Sequence, residues 1–247
     1  MPTSRSSLSN TTTDVVTRRP ASPSHRSNPG VALLKRKNVV IDPTIATFDF
    51  IRQRDGDVSA AYKAIIDNMP LELQRAFRSG TMKIPDEATA KRYNKSYEKM
   101  VEFIGRMYKA GIPLVAGTDG IPGFTLHSEL ELYVQAGLTP AQALQVATLN
   151  GATYTRTSHS RGQIAPGFLA DLVLVEGDPT KNIGDIRNIS MVFTQGGVVS
   201  PSQIFQMMGI KPFVANAPEL KTNKEADTSA APKGAGGAGH SHQRHYD

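Results

Sequence analysis

The stretch Lys109-Ala110-Gly111-Ile112-Pro113-Leu114-Val115-Ala116-Gly117-Thr118-Asp119 decides how this chain is read. Ile112 to Ala116 is a short apolar run, the length of a buried strand. Gly111 stands just ahead of it, where a helix would stop. Upstream, Tyr97, Met100, Val101, Ile104, Met107 and Tyr108 recur at helical spacing, which predicts an amphipathic helix of about 16 residues beginning at Asn94. Beyond the run, Thr118-Asp119-Gly120 puts polar groups at the strand's C-terminal tip, and Ile121-Pro122-Gly123 makes a loop. Leu126–Ala136 then reads as helix, stopped by Gly137. Thr139, with Pro140 behind it, caps another helix running to about Ala152. Helix, strand, polar tip and helix over 94–152 form one turn of a parallel βα architecture.

Outward from that unit the patterns are weaker. Val31–Leu34 and Asn38–Ile41 are short apolar runs, and the second ends at Asp42-Pro43-Thr44, as a buried strand leaving into a loop would. Ile45–Arg54, Ser59–Asn68 and Pro70–Ser79 read as helical pieces of an insertion. Downstream, Gly162–Ile164, Ala170–Val175 and Met191–Ser200 read as β runs, with a hairpin turn at Gly196-Gly197. The expected division is 1–30 disordered, 31–155 the βα part, 156–213 a β-module, and 214–247 a disordered tail.

Composition bounds the function. The 247 residues contain no cysteine, which excludes disulfides and thiolate metal sites. The net charge of +6 invites a nucleic-acid reading, but residues 1–37 hold seven cations and one anion, and the other 210 residues balance 21 against 21. The basicity therefore belongs to the front end and not to a folded surface, and no nucleic-acid partner is expected. No apolar run reaches the roughly 18 residues of a membrane span, and no secretory signal is readable, so the default expectation is a cytoplasmic location with no membrane partner.

Asp119 is the first candidate for chemistry. A carboxylate at the C-terminal tip of a barrel strand, between a polar residue and a glycine, points into the catalytic mouth of such folds. Metal-assisted hydrolysis suits it: the carboxylate holds a divalent cation and moves a proton from water to the leaving group. An Asx turn or a helix cap explains the same residue without any function.

The motifs around Asp119 add up to more than their parts. The stretch from Lys109 to Asp119 is followed by His127-Ser128-Glu129-Leu130-Glu131-Leu132, then Ala136-Gly137-Leu138-Thr139-Pro140-Ala141-Gln142-Ala143-Leu144, Ala147-Thr148-Leu149-Asn150-Gly151-Ala152, and Gly162-Gln163-Ile164-Ala165-Pro166-Gly167-Phe168-Leu169-Ala170-Asp171-Leu172-Val173-Leu174. In order and spacing, over roughly 38–200, this resembles the C-terminal third of the metal-dependent amidohydrolase superfamily, near its imidazolonepropionase and prolidase-like members. The resemblance implies an α/β fold: the C-terminal part of a (β/α)8 TIM-type barrel plus a small β-sandwich module. It implies hydrolysis of carbon–nitrogen bonds in cyclic or dipeptide-like amides, with one or two divalent metals, zinc by expectation. Asp119 matches the family's metal-ligating and proton-transferring aspartate. His127 is either a substrate contact or a cap on the following helix. Asp171 holds a turn, and Glu129 and Glu131 are surface or cap charges.

One departure is plain. Family members carry a His-x-His pair, a carboxylated Lys or Glu, and two more histidines ahead of the segment resembled here. This chain has only His25, His127, His159, His240, His242 and His245. His240-Ser241-His242 has the pair's spacing but follows a Gly/Ala run with no strand pattern. A closed barrel typically needs about 250 residues, and two convincing strands cannot close one. A catalytic zinc normally needs about three protein ligands. The expectation is therefore an incomplete barrel, weak or inactive alone, acting on a small-molecule amide. The alternative is a non-catalytic fragment that completes a split barrel with a complementing chain or as a homo-oligomer.

Overall fold

The computed structural model describes residues 28–120, 123–215 and 217–218. The segments expected to be disordered lie almost wholly outside these residues, as do His25, His240, His242 and His245. Helix α1 (Pro29–Arg36) opens the described chain: Asn28 accepts from the Gly30 N–H, Pro29 occupies the first turn, and Lys35 and Arg36 the last. The chain then extends, and Ile41 pairs in parallel with Leu114. The Ile41 N–H donates to Pro113 O at 3.0 Å and the Val115 N–H to Ile41 O at 3.0 Å. These two extended segments, 39–42 and 112–117, are the parallel element the sequence predicted.

Between them lies the helical insertion: a 3₁₀ turn (Thr47–Arg52), α2 (Ala60–Lys63), a second 3₁₀ turn (Ile66–Asn68), α3 (Leu71–Ala76) and the long α4 (Glu87–Lys109). Helix α4 starts well before Asn94, because the Asp86 carboxylate caps it by accepting the Thr89 N–H at 2.7 Å. Of the predicted stripe, Tyr97, Val101, Ile104 and Met107 are buried and Met100 and Tyr108 half-buried, and Ala90 and Gly105 are buried beside them. Helices α5 (Thr125–Gln135) and α6 (Pro140–Gln145) follow, and a π turn (Val146–Asn150) leads into α7 (Gly151–Tyr154). Thr139 and Gln142 make a full capping box at the start of α6.

One core joins these parts. Ile45, Tyr97, Val101, Ile104, Ile112, Leu114, Leu130, Tyr133 and Val146 cluster with Ile183 and Ile186 from further along the chain. A second cluster of Ile65, Met69, Phe124 and Ile210 ties the insertion to the C-terminal helix α8 (Pro201–Met207), with Tyr62, Phe77, Phe205 and Phe213 packed around it.

The β-region is one antiparallel sheet of three strands among the described residues: β1 (Leu172–Val175), β2 (Ile189–Thr194) and β3 (Gly197–Val199), in that order. The family resemblance implies a sandwich, but a second facing sheet is not among the described residues. Gly162–Ile164, expected as a β run, is not a strand: Gly162 turns the chain at φ +90° and Ile164 is 86% exposed. The hairpin turn is centred one residue early, on Gln195 and Gly196, both at positive φ (+51° and +77°), the geometry of a type I′ turn.

Gly105 marks the tightest helix contact. A β-carbon there would stand 2.0 Å from the Ala136 carbonyl oxygen, and backbone cannot move aside as a side-chain tip can. Gly105→Ala is expected to destabilise the fold by about 1–3 kcal/mol in urea denaturation. Gly151→Ala, whose β-carbon meets nothing within 4 Å, is expected to stabilise it by about 0.5–1 kcal/mol.

Candidate functional site

The two parallel segments end side by side, the first in Asp42 and the second at Gly117, two residues ahead of Asp119. Asp42 Oδ1 accepts the Gly117 N–H at 2.7 Å. A β-carbon on Gly117 would stand 2.1 Å from Asp42 Oδ2, so glycine is what lets the neighbouring carboxylate reach that backbone. Two residues further, Asp119 is exposed and takes φ +41°. Aspartate tolerates this left-handed conformation better than most side chains. Thr44, on the other tip, takes φ +45°, which for a β-branched residue is a strained position costing about 1–3 kcal/mol.

Thr47 joins the tips. Its hydroxyl lies against the carbonyls of both Thr118 and Asp119, the latter at 3.1 Å. The chain 44–47 is itself turned by the Thr47 N–H donating to Thr44 O at 3.1 Å. The backbone of Asp119 is thus held from a residue 72 positions earlier.

Behind the turn sits Glu129. The sequence reading places Glu129 and Glu131 on the surface or at a cap; the structure corrects this for Glu129, while Glu131 stays a partly exposed charge. Glu129 has no exposed surface, and its Oε2 accepts the Ala46 N–H at 2.7 Å. Its Oε1 is buried without a partner. Burial pushes its carboxyl above the usual range, against the backbone N–H groups of Ala46 and Ile45, which favour the charged form. Tyr133 is fully buried too, and donates to Val115 O at 2.9 Å. Asn150 donates to Leu114 O at 3.0 Å. Carbonyls along the 112–117 segment are therefore satisfied by side chains from the helices that follow it. One signal for Glu129 is in the sequence: it lies one helical turn from both Thr125 and Tyr133, and all three are buried.

Glu131 forms a bidentate pair with Arg187, at 2.8 and 2.9 Å, and Arg187 also donates to the Ser128 hydroxyl at 3.0 Å. His127 sits beside this pair. Burial, and secondarily the positive charge of Arg187, lowers its pKa to about 4. Asp171 holds its loop as expected, accepting from the Thr194 hydroxyl at 2.9 Å and pairing with Arg161.

Asp119 and Gly120 line a cavity of about 250 Å³, together with Thr47, Phe50, Tyr62 and Phe77. His127 is not among its lining residues, so the structure does not bring the two sequence candidates together. Larger clefts of about 810 and 920 Å³ lie over the insertion, lined by Arg54 and Glu87, without Asp119. Among the described residues, no three His, Cys, Asp or Glu side chains converge to hold a metal ion. A zinc site with its usual complement of ligands does not fit these residues.

Glu129 ties stability to pH. A carboxyl raised in the fold contributes fully below its unfolded value of 4.5, and the contribution is lost as pH climbs through the raised value. The thermal midpoint of the native chain is expected to fall over that climb. In Glu129→Gln, which cannot ionise, that fall is expected to vanish in a melt series from acid to mildly alkaline buffer. The His127 ring is expected to stay neutral, with no titration of its NMR signals between about pH 6 and 8.

Comparison with known proteins agrees with the fold at the level of the family. A sequence profile described as the Amidohydrolase family matches residues 26–199. An imidazolonepropionase of Flavobacterium johnsoniae is 35% identical over 92 residues, covering 35% of this chain and 21% of that protein. An adenine deaminase of Rubrobacter xylanophilus is 39% identical over 67 residues, 27% of this chain and 10% of that one. A crystal structure of a Xaa-Pro dipeptidase with bound methionine superposes with a TM-score of 0.51 at 19% identity, over 70% of this chain and 37% of the dipeptidase. The matched stretches are thus a minor part of each relative. With the profile spanning most of its length, the chain belongs to the amidohydrolase family.

Proposed function

We propose that this chain carries the Asp119-bearing portion of a hydrolase acting on carbon–nitrogen bonds in small amides. The observation that carries the reading is the placement of Asp119: an exposed carboxylate at the tip of a parallel segment, its backbone clamped by Thr47, at the wall of a cavity of about 250 Å³. Family membership supports the reaction class, since amidohydrolases are in general hydrolytic and metal-dependent. The adenine deaminase that this chain resembles acts, by its name, at a carbon–nitrogen bond.

In this reading the two paired segments are strands from the end of a (β/α)8 barrel, and the three-stranded sheet belongs to an appended β-module. The Asp119 carboxylate takes a proton from the attacking water and returns it to the leaving nitrogen, the general-base and general-acid roles of one group in turn. His127 stands apart from the Asp119 cavity, and its neutral ring would meet a substrate only at the cavity's margin. The family's cation finds no adequate ligand set among the described residues, so we infer that the chain by itself is weak or inactive. No helix among the described residues is long and apolar enough to cross a membrane. Where the remaining ligands come from a complementing chain, Asp119 would face it across the open side of the barrel.

The test is an assay of the purified chain with added zinc or manganese against cyclic amides and dipeptides, following amine release. No turnover above background is expected. Robust turnover lost in Asp119→Ala would overturn the inactivity and keep the carboxylate's role. Turnover indifferent to Asp119→Ala would remove that role.

A further inference from the structure

The walls of the Asp119 cavity say more about what it receives. Phe50, Tyr62 and Phe77 line it. Tyr62 and Phe77 are stacked face to face, with centroids 4.3 Å apart and planes 8° from parallel. Gln53 fixes this wall from behind: its side-chain nitrogen donates to Phe77 O at 2.7 Å and to Asp57 O at 3.0 Å. Both amide hydrogens are then used, and Gln53 has only its oxygen to offer a ligand. The remaining polar lining includes Ser79 and Thr81, and Asp119 is the sole charged member among the described residues.

Three consequences follow from elementary chemistry. Among the described residues, no lysine, arginine or histidine lines the cavity, so a carboxylate placed there would meet Asp119 without a compensating side-chain charge from them. Aromatic walls favour a flat ring, which meets them in offset or edge contacts. A volume of about 250 Å³ is below the roughly 300–1,000 Å³ of sites for drug-sized ligands, which suits a single-ring group.

We propose that the cavity beside Asp119 receives an uncharged aromatic ring bearing an amide, so that aryl amides and not carboxylate-bearing ones are the substrate class. This rests on the reading of Asp119 as the catalytic carboxylate, and it narrows that reading. The ring packs against the Tyr62–Phe77 stack and Phe50, and the Gln53 oxygen accepts an amide N–H.

Binding tests it without turnover. Benzamide, benzoate and propionamide are titrated against the full chain by saturation-transfer NMR. Benzamide is expected to bind at least about tenfold more tightly than either of the others. Equal binding of the three, or a preference for benzoate, overturns the proposal. Phe77→Ala is expected to weaken benzamide by about tenfold. Because that variant also removes packing, Thr81→Lys serves beside it. Thr81 is exposed, so the fold should tolerate lysine, and the new cation should bring benzoate level with benzamide or past it. No change in either folded variant would put the binding elsewhere and overturn the proposal. Benzamide binding as expected, with turnover indifferent to Asp119→Ala, sinks the catalytic reading and leaves the cavity assignment. Asp119-dependent turnover confined to non-aromatic amides, with no benzamide binding, does the reverse.

Discussion

The bond from the Ala46 N–H to Glu129 is the fixed point on which the site depends. Glu129 has no contact with water, yet it reaches across 83 residues of sequence to hold a turn just after the first parallel segment. That turn sets where Thr47 stands, and Thr47 sets where the Asp119 backbone runs. An orphaned backbone N–H in the interior costs about 1–3 kcal/mol, so the buried carboxyl is worth keeping despite its own desolvation. The strain at Thr44 is tolerated for the same reason: the turn is held from both sides.

A similar economy holds the two tips at one spacing. Parallel pairing between these segments is sparse, limited to Ile41 and Leu114 and the bonds that flank them. Side chains do the rest. Asp42 reaches the Gly117 N–H, and Tyr133 and Asn150 take the carbonyls of Val115 and Leu114. The short, strand-like segment is thereby built into helix α5 and the π turn at Val146–Asn150.

What was legible in the sequence was what is local. The stripe on α4, the Thr139–Gln142 cap and the Gln195-Gly196 hairpin each depend on residues a few positions apart, and each was readable to within a residue or two, save the start of α4. Asp119 at a strand tip was legible as well, since an apolar run with a polar end is a local pattern. Glu129 is misread because the polar His127, Ser128 and Glu131 around it outweigh its one-turn spacing from Thr125 and Tyr133, and its partner at Ala46 is 83 residues away in sequence. The aromatic wall was equally hidden. Phe50, Tyr62 and Phe77 sit in pieces of helix too short to show periodicity, and only folding brings them together. The sandwich was expected from family likeness and not from spacing, and the strands described make a single sheet.

Ile183 and Ile186 are packed into the same core as α4 and α5, and Arg187 grips Glu131 and Ser128 from the far side of the loop that leads to β2. A cut placed anywhere between 156 and 182 would leave the N-terminal piece with an apolar gap and a stranded carboxylate at once. Changes of loop length across 158–170 would be absorbed at the surface, whereas the short 3₁₀ turn at Ile183–Arg187 closes the apolar core of the helical half as a plug.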